Sequence, residues 1–278
     1  SVDLVEEAAS RLSKASTSED VEMFTELKKQ AERGLDPSVA QLPEHVKGNL
    51  LRAQATGNDV YFDHAERDMQ SHWDKFIKPN LPVDADYEYV LEIAAGHGRN
   101  TNMLKEFSKK IVGIDINPDN IEFLKDRFKE YPSISFYLTN GVDIPSEVSA
   151  DVTFVYCWDA MVHFDKEVIG AYLKEVSRLM VPGAMGFIHH SQTPRCPETL
   201  SNGYCSDPDD ITKNRHQRNA HSKEGFVEQA TVAGLTVINQ VDVVWDESLG
   251  VTDAISVFKK EGSSELVEPL VSVDLVEE

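Results

Sequence analysis

The 278-residue chain contains only three cysteines, Cys157, Cys196 and Cys205, and none belongs to a Cys-x-x-Cys pair. A disulfide framework is therefore not expected, and reduced thiols are typical of a cytoplasmic protein. Basic residues are also few, 27 against 48 acidic residues, which gives a net charge of −21. Such a field repels nucleic acid and anionic lipid, so we expect neither as a partner. No apolar run approaches the ~20 residues of a membrane span and no signal peptide is recognisable, so we expect no membrane association.

Hydrophobic patterning divides the chain into three parts. Residues 1–80 predict an N-terminal helical cap, 81–262 a domain of alternating strands and helices, and 263–278 a C-terminal tail. Strands are predicted at 88–93, 111–115, 134–139, 151–157, 184–190, 235–244 and 252–259. Helices are predicted at 98–108, 118–130, 166–180 and 222–233, and a long polar loop at about 191–221 is expected to cover a substrate.

This alternation predicts an α/β fold with a seven-stranded, mostly parallel sheet and helices on both faces. The last two strands are joined by residues 246–250 only, which leaves no room for a crossover helix. We therefore expect the last strand to be antiparallel.

A glycine turn between two predicted strands is the most specific motif. The segment 89–93 has the pattern of a buried strand, Gly96 and Gly98 form a tight turn, and a helix follows. The second strand ends on Asp115, 17 residues beyond Gly98. Glycines let the backbone approach a ligand closely, and a carboxylate at the tip of the second strand is the usual acceptor for ribose hydroxyls. The motif therefore predicts a cofactor that contains adenosine.

Two adenosine cofactors compete for this turn. A dinucleotide prefers a third glycine or alanine, and that position is Thr101 here. S-adenosylmethionine has no phosphate and carries a positive sulfonium, which suits Glu92 at the end of the first strand and the negative net charge. Asn140, Gly141 and Val142 follow the third strand and offer polar contacts to an adenine edge. The residues favour S-adenosylmethionine.

The ordered motifs of residues 87–259 resemble the class I S-adenosylmethionine-dependent methyltransferases. The segments that carry the resemblance are Glu92–Gly98, Ile114–Asn117, Thr139–Gly141, Val155–Asp159 and Leu179–Gly183. The resemblance implies a Rossmann-like fold and methyl transfer. It implies as cofactor-binding residues Glu92, Ala94, Gly96, Gly98, Asp115, Ile116, Asn140, Gly141, Val142 and Trp158. Ala94 departs from the family, which has a glycine there.

An apolar stripe at 59–78 allows two interpretations. Its members, Met69 and Trp73 among them, recur at helical spacing. The stripe packs on the domain below, or Trp73 or Met69 covers the cofactor.

Candidate catalytic residues follow from the chemistry of the acceptor. A hydroxyl gains from a general base, most often histidine. Asp159 and His163 are four residues apart and would share a helical face, so His163 is a candidate base with Asp159 beside it. His189 and His190 end the fifth strand, where alternation sends them to opposite faces, so at most one of them enters the site. These residues show no metal-ligand spacing, and no metal is predicted.

We therefore expect O-methylation of a small-molecule or sugar hydroxyl. The sugar rests only on a looser resemblance of Trp158–His163 and Gly186–Ser191 to a bacterial subgroup associated with glycan biosynthesis. The alternatives are N-methylation of a small amine and, in another class, an NAD-type dehydrogenase or a non-catalytic nucleotide-binding protein. The oligomeric state is left open.

Overall fold

The computed structural model describes residues 59–192, 218–219, 221–245 and 251–262. Residues 1–58 of the predicted cap, most of the predicted loop at 191–221 and the tail at 263–278 lie outside these residues. In the described ranges, no helix has both the length and the apolarity to cross a membrane.

The described residues form one seven-stranded sheet. Its strands are β1 (Tyr89–Ile93), β2 (Lys110–Asp115), β3 (Ile134–Leu138), β4 (Val152–Met161), β5 (Met180–Ser191), β6 (Leu235–Val243) and β7 (Asp253–Lys260). Their order is β3-β2-β1-β4-β5-β7-β6. The first five strands pair in parallel, and β7 is antiparallel to both β5 and β6. The predicted Rossmann-like, mostly parallel sheet is confirmed.

Five helices of the described residues flank this sheet. They are α1 (Asp59–His72), α2 (Arg99–Leu104), α3 (Pro118–Arg127), α4 (Lys166–Leu179) and α5 (Lys223–Val232). Local sequence explains where α3 and α5 begin. The Asn117 side chain accepts the Asp119 N–H at the start of α3, and the Ser222 hydroxyl accepts the Gly225 N–H at the start of α5.

Both faces of the sheet are covered, which explains why all five residues of β1 are buried. One face of the sheet packs against α4 and α5, and the side chains of Leu91 and Ile93 point toward these helices. On the other face, Val90 packs with Met69 and Trp73 from α1 and its continuation.

The apolar stripe at 59–78 therefore packs on the sheet. The ring of Trp73 lies 6.0 Å from that of Phe107, which in turn contacts Tyr87, just before β1. This places Trp73 toward the amino ends of the strands, away from the glycine turn. The expectation that Trp73 covers the cofactor is wrong, because the aromatic core under α1 takes its ring.

The chain reverses its direction across the sheet between β1 and β4. The strands β1, β2 and β3 are laid outward on one side, and β4 returns to pair with β1 on the other. In open α/β sheets, ligands bind outside the carboxyl ends of the strands at such a point. The ends of β1 and β4 therefore position the candidate site.

Candidate active site

The glycine turn follows β1 directly. Ala94, Gly96 and Gly98 all have positive φ angles, of 58°, 57° and 83°. A Cβ at Gly98 would lie 2.5 Å from the Phe128 ring, so this position requires glycine. Ala94 adopts the left-handed conformation that glycine reaches without strain, which explains why the resembling family has glycine there.

Asp115 holds the turn from the tip of β2. Its carboxylate accepts the N–H groups of Gly96 and Asn117, both at 2.8 Å, and the side-chain amide of Asn120 at 3.1 Å. Burial raises the pKa of Asp115, against the effect of these donors. The N–H of the half-buried Ile116 also interacts with this carboxylate, so Asp115 fixes the backbone on both sides of the strand end.

Asn140 organises the turn that follows β3. Its side-chain oxygen accepts the N–H groups of Val142 and Asp143, at 3.0 and 2.8 Å, and its amide donates to the Asp143 carboxylate. The N–H of Gly141 donates to the Thr139 hydroxyl. The backbone N–H groups of Gly141 and Val142 are therefore used within the turn and do not reach an adenine edge, whereas the exposed Asn140 amide has a second N–H, so its contact with adenine stays a prediction.

Glu92, at the end of β1, is the buried acid of the site. The Thr101 hydroxyl donates to Oε2, whereas Oε1 is buried and has no hydrogen-bond partner among the described residues. Burial raises the pKa of Glu92 to about 8. Thr101, which replaces the third glycine of a dinucleotide motif, therefore holds this carboxyl group. The unpartnered oxygen fits a cationic ligand such as S-adenosylmethionine, whose positive groups would supply the missing interaction.

Alternation places three side chains of the site on one face. Glu92 pairs in register with Tyr156, and in a parallel pair aligned residues point to the same side. Trp158 follows Tyr156 by two residues and shares this face, which α1 covers. The indole nitrogen of Trp158 is also buried without a partner among the described residues.

His189 stacks on Trp158, with ring centroids 4.2 Å apart. Its Nδ1 accepts the backbone N–H of Asp159 at 3.1 Å, which leaves the ring proton on Nε2, 3.3 Å from the Asp253 carboxylate. Both nitrogens of His189 therefore already face protein groups.

The Asp253 carboxylate, which lies beside His189, also accepts hydrogen bonds from two other residues. Arg218 donates to it twice, at 2.9 and 2.7 Å, and the Trp245 indole donates at 2.5 Å. Burial alone would raise the pKa of Asp253, but His189 and Arg218 hold it well below its ordinary value. The sequence analysis did not identify Asp253 or Trp245 as site residues.

Asp159 lies on an irregularity of β4, with a φ of 58°. Its carboxylate binds Arg99 at 2.8 Å, and although burial opposes ionisation, the charge of Arg99 lowers the pKa of Asp159. The helical interpretation of this segment is wrong, because β4 continues to Met161. Asp159 and His163 therefore do not share a helical face, and the carboxylate of Asp159 is paired with Arg99.

His163 follows the strand in a turn. Its backbone N–H donates to the Ala160 carbonyl at 3.0 Å, and its own carbonyl accepts the Asn219 side chain at 2.7 Å. Asn219 also binds Asp165, so this turn is attached to the end of the predicted loop.

His190 lies on the opposite face from His189, as alternation predicts. It stacks on Phe226 at 4.5 Å, and its two nitrogens lie 2.9 Å from the Ser191 carbonyl and 2.7 Å from the Ser256 hydroxyl. Burial lowers the pKa of His190 to about 3. His190 is a structural residue under α5, and its proposed catalytic role is wrong because it faces away from the site.

These features define a class I, S-adenosylmethionine-dependent methyltransferase domain. They are the sheet order, the glycine turn, the carboxylate at the end of β2 and the buried acid near the end of β1. Residues 90–183 match the family model described as a methyltransferase domain.

The curated relatives are methyltransferases by name. The demethylmenaquinone methyltransferase of Tropheryma whipplei (strain Twist) is 27% identical over 126 residues, which are 45% of this chain and 50% of that protein. The chain thus spans about half the length of the curated relatives it matches.

Two solved structures share the fold. A chain from the complex between the Haloferax volcanii Trm112 methyltransferase activator and a methyltransferase aligns with a TM-score of 0.55 and 16% identity, over 74% of this chain and 96% of that one. Geranyl diphosphate methyltransferase in complex with S-adenosylmethionine aligns with a TM-score of 0.53 and 13% identity, over 73% and 92%.

Proposed function

We propose that this chain is an S-adenosylmethionine-dependent methyltransferase that methylates the oxygen of a small-molecule or sugar hydroxyl, with a histidine as general base. The observation that carries the proposal is the cluster of aromatic and polar side chains at the switch point. Trp158 and His189 form this cluster with Trp245 and His72, on the face of the sheet that Glu92 shares.

The cofactor supplies a methyl group on positively charged sulfur. The glycine turn lets the backbone approach its adenosine part, and a carboxylate at the end of the second strand, here Asp115, suits a ribose hydroxyl. The unpartnered Oε1 of Glu92 attracts its positive charge. These residues position the donor, and well-oriented reacting groups reach effective molarities of ~10⁵ M or more.

The acceptor side supports a flat or apolar molecule with one reactive polar group. Trp158, Trp245 and Phe76 provide apolar ring surface, and α1 covers the site and excludes water. Arg99 is held by Asp159, so it offers no unpaired charge for a phosphate or carboxylate acceptor. An uncharged hydroxyl acceptor agrees with this pairing of Arg99 and Asp159. A sugar as the acceptor is supported only by the looser resemblance of the Trp158–His163 segment.

N-methylation of a small amine is the second proposal. The net charge of −21 attracts a cationic amine, and an amine needs little catalytic help once it is neutral. A screen with labelled S-adenosylmethionine separates O-methylation from N-methylation. In this screen each hydroxyl acceptor is tested beside its amine analogue. Turnover of the amines alone would reject O-transfer.

Calorimetric titration of the full chain tests the cofactor. We expect S-adenosylhomocysteine to bind and NAD not to bind. Asp115→Asn should weaken binding by about 5- to 150-fold, since it removes an acceptor worth ~1–3 kcal/mol. Asp126→Asn, an exposed carboxylate on α3, is the matched control. Binding of NAD alone would overturn the proposal, and unchanged affinity in Asp115→Asn would place the ribose elsewhere.

A further inference from the structure

His72 is the last residue of α1, and its ring enters the acceptor side of the site. The ring meets Trp245 edge-on with centroids 5.0 Å apart, and it lies 6.3 Å from Phe76 and 6.4 Å from Trp158. The helix α1 thus spans the site: Phe62 near its start packs on the His97 ring of the glycine turn, and His72 at its end reaches Trp158.

The Nδ1 atom of His72 is buried and has no hydrogen-bond partner among the described residues. A buried polar atom left unpaired costs about 1–3 kcal/mol, so such an atom in a site indicates a partner that arrives with a ligand. His190 differs in this respect, because both of its nitrogens have hydrogen-bond partners. The Nε2 of His189 also makes no hydrogen bond among the described residues, but it lies 3.3 Å from the Asp253 carboxylate, whereas the Nδ1 of His72 has no such group beside it.

Four charged or titratable groups surround His72. Burial and the charge of Arg99 lower the pKa of His72, His189 acts in the same direction, and Asp159 and Asp68 oppose them. The imidazole is therefore neutral at neutral pH and keeps a lone pair. Asp159 is ionised nearby and can stabilise the imidazolium once a proton has been taken up.

We infer that His72 is the general base for the acceptor hydroxyl, an inference that rests on the proposed function. The hydroxyl proton passes to the ring nitrogen of His72, and the acceptor oxygen forms the new bond to the methyl carbon. The carbon–sulfur bond of the sulfonium donor breaks, and its electron pair stays on the sulfur as a neutral thioether. The imidazolium then returns its proton to solvent.

His72→Gln tests this role in the full chain, with His64→Gln as the matched control on the exposed side of the same helix. With an acceptor found in the labelled screen, we expect His72→Gln to lower kcat by ~10²–10⁴-fold while the affinity for S-adenosylhomocysteine is unchanged. The acid limb of the wild-type pH profile, where kcat falls as His72 is protonated, should disappear. His64→Gln should keep both rate and limb.

A second measurement needs no acceptor. Nitrogen-15 NMR of the imidazoles, with the His72 signal assigned by its absence in His72→Gln, should show a ring that is neutral at neutral pH and titrates below 6.5. A ring protonated at neutral pH would overturn the role even if His72→Gln does not fold.

The failures of the two proposals are distinguishable. A wild-type chain that neither binds S-adenosylhomocysteine nor transfers methyl contradicts the proposed function. Normal turnover with an intact acid limb in His72→Gln contradicts only the role of His72, and a loss confined to His163→Gln would assign the base to His163.

Discussion

Glu92 and Thr101 form a buried pair whose electrostatics depend on a ligand. Without a cation, burial raises the pKa of Glu92 to about 8, and only one of its oxygens has a protein partner. At neutral pH most of this group is therefore protonated. A positive ligand beside it favours the carboxylate, so binding and ionisation of Glu92 are coupled.

We predict that cofactor binding releases a proton from Glu92. Titration of S-adenosylmethionine near neutral pH, in buffers of different ionisation enthalpy, should give a heat that depends on the buffer. Glu92→Gln should bind more weakly and lose this dependence, whereas the exposed Glu88→Gln should keep it. Buffer-independent heats in the wild-type chain would contradict the prediction.

At the scale of the secondary-structure element, the helix α1 helps to hold the glycine turn in place. The His97 ring is stacked between Phe62 and Phe123, with centroids 3.3 and 3.9 Å away. Arg127 donates to the His97 carbonyl at 2.7 Å and to both carboxylate oxygens of Glu66. The turn is therefore held between α1 and α3.

Arg127→Met is predicted to loosen α1. It removes a partly exposed ion pair worth up to about 1 kcal/mol, so we expect faster hydrogen exchange in α1 and up to about 5-fold weaker binding of S-adenosylhomocysteine. Lys129→Met removes a comparable exposed cation, paired with Asp126, that does not contact α1. Equal exchange in the two variants would show that α1 is held without Arg127.

At the scale of the whole molecule, His190 couples stability to pH. Its pKa is about 3 in the fold and 6.5 in an exposed chain, so between these values the unfolded chain binds the extra proton. The contribution of His190 is complete above about pH 6.5 and is lost as pH falls toward 3. Glu92 acts in the opposite sense between about 4.5 and 8, because its folded pKa is raised.

The difference between the wild-type chain and His190→Gln isolates this contribution. Denaturant titrations between about pH 4 and 6.5 should show a steeper fall of the unfolding free energy in the wild type, by up to about 1.4 kcal/mol per pH unit. His64→Gln, exposed on α1, should follow the wild type. Parallel curves for wild type and His190→Gln would mean that His190 does not set the acid limit.

Much of the fold could be predicted from local pattern. The buried run of β1, the turn at Gly96 and Gly98 and the carboxylate at Asp115 are adjacent in sequence and lie where they were expected. Alternation also placed His189 and His190 on opposite faces correctly. These features follow from the two-residue period of a strand and the backbone freedom of glycine, which neighbouring residues alone control.

The site was harder to predict because it is assembled from distant segments. Asp159 and His163 fit a helical spacing, but the sheet extends β4 to Met161, and Arg99 from α2 takes the carboxylate. His72 lies within a predicted helix, but the apolar stripe of that helix indicates Trp73 and not His72. Only its position against Trp245 and Trp158 identifies it.

The sequence by itself determined the class of domain and its donor. Glu92, the glycine turn and Asp115 occur in the order that a βαβ unit requires. Only the tertiary structure decided the surroundings of each histidine. The buried, unpartnered Nδ1 of His72 and the pairing of His189 with Asp253 depend on α1, β4, β5 and β7 meeting in one place. Periodicity describes one element at a time, whereas the acidity and partners of a side chain are set by all the elements around it.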